Sequence, residues 1–529
     1  MIERTPFLNT DNFNSLSRKC KTLNHLKQLH AHFLVYSPPH QYPHPISQLL
    51  SLAVASNDPS FFSYALSIFR HLRRRNTFTY NTMIRGYVQS RSPLDAVLCY
   101  SDMLKYGLRA NNYTFPPLIK ACKILFPDYS EKMGRLVHGH VVKFGFGDDP
   151  FVNSALIEFY SVVIRDMVAA RKLFDKCPER DVVLWTTMID GYGKMGDVGS
   201  AREVFDEMPE RNAVSWSAMM AAYSRLSDFR EVICLFGQMQ EVGNKPNESV
   251  LVSVLTACAH LGAVMQGLWI HSYAKQNKLD SNPILATALV DMYSKCGLVE
   301  LALAVFEGIT NKDAEACNAM ITGLSMNGYT RKSLDLFNKM AVDGIQPTET
   351  TFISVLTACT HAKMVNEGLK LFDEMETIYG VKPQREHYSC VVDLLARAGM
   401  VEEAERFIEE KMGGLRGWDA NVWGAILSAC RVYGKVEVGN RVWKKLTDMG
   451  VNDCGAHVLS YNMYKEAGWE SLAKRAQKMI SEAGMPKRPG CSVIEVNGAV
   501  EEFLAGDLCH PQAQDIVKML DSLFKNGEV

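Results

Sequence analysis

The sequence predicts an all-α solenoid built from helix–turn–helix repeats, and three observations carry that prediction. A string, DVVLWTTMIDGY from Asp181 to Tyr192, returns 31 residues later as NAVSWSAMMAAY from Asn212 to Tyr223, with Trp185 and Trp216 in register. Within the first copy Trp185, Met188, Ile189 and Tyr192 fall at i, i+3, i+4 and i+7, and Ala201, Val204, Phe205 and Met208 repeat that spacing in its second half, so the unit is two amphipathic helices. The same grammar recurs at 77–111, 112–149, 150–181, 182–212, 213–247, 248–282, 283–313, 314–348, 349–384 and 385–419. A hairpin this small cannot bury its apolar faces alone, so neighbours stack into a solenoid with one continuous core and a concave face.

Each element has a local reason. Residues 1–45 hold a weak basic presequence, in which Arg4, Arg18, Lys19 and Lys21 are interrupted by Glu3 and Asp11, and then a degenerate repeat. In HLKQLHAHF, His25, His30 and His32 do not share one helical face, so packing explains them better than metal ligation. Residues 46–419 form the repeat array. Its turns are strings such as GKMGD, and Pro209 in MPERN stops the second helix before Asn212 caps the next first helix. Cys122, Cys258, Cys359 and Cys430 end recurring "AC" strings at equivalent interior positions and read as small buried side chains rather than nucleophiles. The 26 residues from Ser249 to Ala274 carry no formal charge and mimic a membrane span. Their sister copy, Thr351 to Phe372, holds Lys363, Glu367 and Lys370, so both are two short helices meeting at a turn. Residues 420–487 are still hairpins, and 488–529 form a tail with a strand-like CSVIEVNG segment.

Composition excludes several functions. With 57 Lys+Arg against 58 Asp+Glu the chain is no general polycation, although a local basic groove remains open to it. The 14 cysteines include no CxxC pair and fit free thiols in a reducing compartment. There is no GxxxxGK[ST] loop and no HExxH helix, so neither a nucleotide cofactor nor a metalloprotease site is expected.

Two polar positions recur off the buried stripe. Thr186 lies roughly 110° from the centre of its helix's apolar face. Its equivalents are Asn81, Ser154, Ser217, Thr287, Asn318 and Ser389, whereas the long copies place Pro116, Val252 and Ile353 there. The last residue of each copy is Asn111, Asp149, Asp181, Asn212, Asn247, Asn282, Asp313, Thr348, Gln384 or Asp419. Taken alone, that second set is explained by helix capping. Ser, Thr and Asn are mediocre mid-helix residues, and their recurrence beside the second set makes a row of donors and acceptors of the kind one-base-per-repeat RNA recognition uses.

These motifs resemble the pentatricopeptide repeat family, in particular the plant subfamily that cycles standard, long and short repeats. The 31/35/36 spacing and the MPERD/N junctions fit that class better than tetratricopeptide repeats, whose Trp-Leu-Gly-Tyr pattern is absent. The resemblance implies a right-handed superhelical solenoid that ends in an E-type extension, matched here by the hairpins of 420–487 and by Pro489 to Leu523, with Val493 where the family usually has Trp. It also implies a code in which Thr or Ser with Asn favours A, Thr or Ser with Asp favours G, Asn with Asn favours C, and long repeats read poorly. From 77–111 to 385–419 the implied target is C, any, G, A, A, any, G, pyrimidine, any, G. Longer family members carry a zinc deaminase domain with HxE and CxxC ligands. None of the 14 histidines here is followed two positions on by Glu. The chain is therefore expected to be no enzyme. The implied role is a site-recognition factor for C-to-U editing that binds single-stranded organellar RNA. Its expected partners in trans are a deaminase-bearing pentatricopeptide repeat protein and multiple organellar RNA-editing factors, with no membrane contact. A mitochondrial location is expected, with the chloroplast as alternative. RNA stabilisation, splicing or processing is the second reading, and a protein-binding scaffold the third.

Overall fold

A computed structural model describes residues 22–36, 43–56, 58–72, 74–411, 420–448, 454–482, 491–496, 499–504 and 512–525. The presequence cations, Asp419 and residues 505–511 lie outside the described residues. The chain is an α-solenoid of helical hairpins that ends in a two-stranded antiparallel sheet and a helix. First helices open at Thr77, Pro150, Val182, Ala213, Glu248, Pro283, Ala314, Glu349 and Arg385, each at the start of a copy read from the sequence. The copy at 112 instead opens with a turn and begins its helix at Phe115. The uncharged stretch is two helices, Glu248–Leu261 and Val264–Gln276, broken at Gly262 with φ 67°. No helix among the described residues is long and apolar enough to cross a membrane.

The chain divides into two compact units, Met1–Asp228 with Glu241–Lys245, and Phe229–Gln240 with Pro246–Val529. In the first unit the repeated tryptophans seal junctions between hairpins. Phe174, on the second helix of one copy, meets Trp185 of the next edge to face at 4.8 Å, and Phe205 meets Trp216 in the same way at 4.9 Å. Such pairs add to burial because the positive ring edge meets the negative face. The arginine of the junction completes the joint. Arg180 stacks 4.6 Å from the Phe174 ring centre and donates through Nε to the Phe174 carbonyl at 3.1 Å. Arg211 does the same to Phe205 at 4.8 and 3.0 Å. One side chain therefore supplies a cation–π contact and occupies a carbonyl that the helix end leaves open. His30 accepts its explanation as a packed residue, with Nδ1 2.9 Å from the Tyr64 hydroxyl. Burial pushes the Cys122 thiol up to about 12, which keeps it protonated and inert.

In the second unit Cys258 and Cys430 are likewise pushed up to about 12 by burial, and Cys359 to about 11. The hairpins Ala420–Val432 with Val436–Asp448 and Cys454–Glu466 with Glu470–Glu482 continue the stack. Glu405, almost fully buried, holds this end to the array by accepting from Arg441 at 2.7 Å and Lys445 at 3.2 Å. Burial works to raise the Glu405 carboxyl, and the two cations outweigh it and hold it below its usual value. Strands Cys491–Val496 and Ala499–Leu504 pair with Val493 opposite Glu502. The first strand also reaches the array, where the Glu495 carboxylate accepts the Met265 amide at 3.1 Å. That amide lies in the first turn of Val264–Gln276, where free N–H groups and the helix dipole favour an anion.

Candidate nucleic-acid interface

The last residue of most copies caps the next first helix, and the cap decides which polar group remains outside. Asp181 accepts the Leu184 amide at 2.8 Å, Asp313 the Ala316 amide at 2.9 Å and Asn247 the Val250 amide at 2.9 Å. Asn212 Oδ1 accepts from Val214 and Ser215 at 2.9 and 3.1 Å. Thr348 Oγ1 accepts the Thr351 amide at 3.4 Å, whereas Asn111 Oδ1 accepts the Tyr113 amide at 3.2 Å in the turn that precedes its helix. An asparagine whose oxygen is committed to backbone N–H groups presents its NH2 outward, as a donor. An aspartate in the same cap presents its second oxygen, as an acceptor. The cap therefore occupies one polar atom of the side chain and leaves the other outside.

The mid-helix set is less uniform than its spacing suggests. Thr186, Ser154, Ser217, Thr287 and Ser389 are half-buried on the flank, as expected. Thr186 donates to the Val182 carbonyl at 2.6 Å, Ser154 to Pro150 at 2.9 Å and Ser389 to Arg385 at 3.0 Å. With the proton held one turn back, each hydroxyl offers lone pairs to the groove. Asn81 and Asn318 are buried instead, because the longer amide reaches the last residue of its own copy and, for Asn81, Thr114 of the next. Asn81 Nδ2 donates to Asn111 Oδ1 at 2.9 Å and its oxygen accepts the Thr114 hydroxyl at 2.8 Å. Asn318 Nδ2 donates to Thr348 Oγ1 at 3.4 Å, while its buried Oδ1 has no partner among the described residues. The structure thus joins Asn81 with Asn111 and Asn318 with Thr348 directly. It gathers Thr186, Asn212 and Ser217 around one hollow of about 450 Å³.

Sequence reasoning missed a third row. Three residues before six of the ten mid-helix positions stand Phe78, Tyr113, Phe151, Val183, Val214 and Ile284, all between 51% and 68% exposed, whereas Ser249, Glu315, Thr350 and Glu386 take that place in the other four. Val183 and Val214 form walls of the hollow that holds Thr186 and Asn212. An apolar side chain beside a polar pair gives a flat ligand a face to lie on as well as an edge to bond.

Comparison with known proteins finds the repeat along the chain. The model of the PPR repeat family matches residues 75–123 and 312–361, the PPR repeat matches 183–212, 214–244, 285–313, 350–378 and 386–412, and the E motif matches 433–495. A pentatricopeptide repeat-containing protein of Arabidopsis thaliana is 37% identical over 519 residues, which cover 95% of this chain and 79% of that protein. The chain belongs to the pentatricopeptide repeat family. Two further Arabidopsis thaliana pentatricopeptide repeat-containing proteins are similar. One, named as mitochondrial, is 34% identical and covers 97% of this chain and 89% of itself. The other, the chloroplastic ELI1, is 39% identical and covers 95% and 78%. The crystal structure of the maize pentatricopeptide repeat protein PPR10 shares the fold, with a TM-score of 0.51 at 16% identity over 91% of this chain and 81% of that one. Pentatricopeptide repeat membership makes this chain a helical repeat protein rather than an enzyme.

Proposed function

We propose that the chain binds single-stranded RNA one nucleotide per repeat and acts as a site-recognition factor for C-to-U editing in an organelle, recruiting a deaminase-bearing partner in trans. The observation that carries the RNA reading is the division of atoms at the caps. Bases present either an acceptor at the centre of the pairing edge, N1 of A and N3 of C, or a donor, N1–H of G and N3–H of U. Asn212 and Asn111 face the groove with a donor and suit the first class. Asp181 and Asp313 face it with an acceptor and suit the second. The neighbouring hydroxyl or amide, Thr186 against Asn81, then separates purine from pyrimidine within each class. The hydrogen-bond inventory of these side chains thus supports the family's code.

The editing reading rests on the E motif, which lies beyond the last polar pair at Ser389 and Asp419. Relatives named as mitochondrial and chloroplastic support an organelle. Residues 420–529 are the proposed partner surface, and Ser389 with Asp419 the last reading pair. The test is a comparison of organellar transcripts from plants with and without the gene. Loss of editing at one site preceded by the implied sequence is the expected result. Intact editing with loss or mis-splicing of one transcript would replace this reading with RNA protection or processing.

A further inference from the structure

Among the described residues, three junctions between hairpins close on the same three side chains: a ring on the second helix, a ring on the next first helix and the arginine that precedes the cap. Phe174, Trp185 and Arg180 make one such joint, and Phe205, Trp216 and Arg211 another. Phe69, Tyr80 and Arg75 make the third, with ring centres 5.2 Å apart and the Arg75 guanidinium 4.6 Å from the Phe69 ring. The junction from 248–282 to 283–313 lacks all three. Its buried series Gly267, Ile270 and Ala274 matches Ala201, Val204 and Met208, which puts His271 in the place of Phe205. Ala286 and Ser281 stand in the places of Trp216 and Arg211. His271 is also turned aside, with Nδ1 2.8 Å from the Tyr293 hydroxyl. A hollow of about 490 Å³ results, with His271, Ala286, Leu289, Leu301 and Ile309 among its walls and the exposed Asp280 at its rim. The other long copy repeats the histidine, His138 with Nδ1 2.8 Å from the Tyr160 hydroxyl. There, however, the buried Asn153 takes the place of Ala286 and donates to the Gly147 carbonyl at 2.9 Å.

We infer that the hollow between His271 and Ala286 is a docking site for a protein partner that inserts one aromatic side chain with a basic side chain beside it. The chain itself shows three times what fits this place in the stack, a ring against a ring with a guanidinium over it. Here the second ring and the cation have to come from outside. The walls suit the ring, since Leu289, Leu301 and Ile309 give it apolar surface to cover and Leu301 is 41% exposed without it. The rim suits the cation. At the three joints the arginine Nε donates to the carbonyl of the second-helix ring residue at 3.0 to 3.2 Å. The second helix of 248–282 runs on to Gln276, so the His271 carbonyl is engaged within that helix and the Asp280 carboxylate is the group left to receive the charge. Burial holds the His271 imidazole below its usual value, so at neutral pH it adds no opposing charge. RNA is the wrong occupant, because among the described residues no lysine or arginine lines the hollow and its rim carboxylate repels phosphate. The site is also separate from the polar rows, since neither Asn282 nor Thr287 lines it.

The experiment selects short peptides from a randomised displayed pool on the full-length chain, with Ala286→Trp as the counter-selecting protein, because its indole fills the hollow from inside. Recovered peptides should share an aromatic residue close to an Arg or Lys. Replacing that aromatic residue by Ala should weaken binding by about thirty-fold, as expected of a ring seated in a pocket. Asp280→Lys changes an exposed side chain and leaves the fold intact, and the same selection on it should exchange the basic neighbour for an acidic one. Recovery of no peptide overturns the inference, as does a set of peptides with no aromatic residue in common. Equal binding of the peptides by a folded Ala286→Trp overturns it too, and so does a neighbouring charge that stays basic with Asp280→Lys. Should Ala286→Trp fail to fold, the charge exchange on Asp280→Lys decides alone.

Discussion

Replacing Asn212 by Asp separates the two roles that meet at the end of each repeat. The structure predicts that the cap survives, because Asp181 and Asp313 hold the same backbone amide at 2.8 and 2.9 Å that Asn212 holds for Ser215 at 3.1 Å. Asp and Asn are nearly equal caps, and the helix dipole adds a few tenths of a kcal/mol in favour of the charge, about 0.3 to 1 kcal/mol. Thermal stability should therefore stay the same or rise slightly. The outward group, however, changes from donor to acceptor. The fourth nucleotide of the target should shift from A to G. A good base contact is worth about 1–3 kcal/mol by analogy with direct readout in DNA, so the A-to-G preference should change by about 5- to 140-fold. Adding Thr186→Asn, which recreates the longer amide seen at Asn81, should move the preference on toward U. The assay is equilibrium binding of wild type and variant to RNAs that differ only at that nucleotide. If both proteins rank the RNAs identically while binding them, Asn212 is only a cap and the assignment of the whole row fails.

Four further outcomes are expected. Ending the chain after Asp419 should leave affinity for the cognate RNA within a few fold and abolish editing in the organelle. Preserved editing would move the partner surface onto the repeats. Trp216→Ala should cost about 3–5 kcal/mol of stability, read as a lower urea midpoint, since Trp216 is 2% exposed and seals its junction against Phe205. An unchanged midpoint would show that the junction does not need it. Glu405 is held below its usual value in the folded chain, so its stabilisation is present above about pH 4.3 and is lost as pH falls through its folded value. Glu405→Gln should flatten the stability profile in that acid range, and a variant with the wild-type acid slope would contradict the assignment. Glu495→Ala should speed hydrogen exchange at Met265, whose first-turn amide has no carbonyl partner within its own helix. Equal exchange in both proteins would remove the strand from the array.

The repeat ends were legible in the sequence because apolar spacing and Pro/Gly punctuation act locally. The polar rows were legible because Thr186 and its equivalents fall off the stripe. The exposed apolar row was not, since Val183 stands beside Leu184 and Trp185 and reads as one more core residue. Only packing leaves it 58% exposed with Leu184 fully buried. Nor could sequence reveal that Arg180 and Arg211 fold back over Phe174 and Phe205, or that Glu495 meets Met265 across 230 residues of chain. Those contacts depend on elements that approach only after the solenoid stacks.

The capping explanation and the recognition explanation of the terminal Asp/Asn row were set against each other at the level of sequence, and the geometry removes the conflict. A free asparagine amide can turn either way, offering donor or acceptor, and would discriminate poorly. Bound to Val214 and Ser215, the Asn212 oxygen cannot turn outward without giving up both first-turn amides, and that of the buried Ser215 costs about 1–3 kcal/mol when left unsatisfied. That cost is comparable to the worth of a base contact, so the cap is what makes the outward NH2 a dependable donor. On the RNA reading proposed above, specificity at one copy thus draws on the first helix of the next, whose amides its last residue caps, while the two polar positions of one copy meet directly, as Asn81 and Asn111 do.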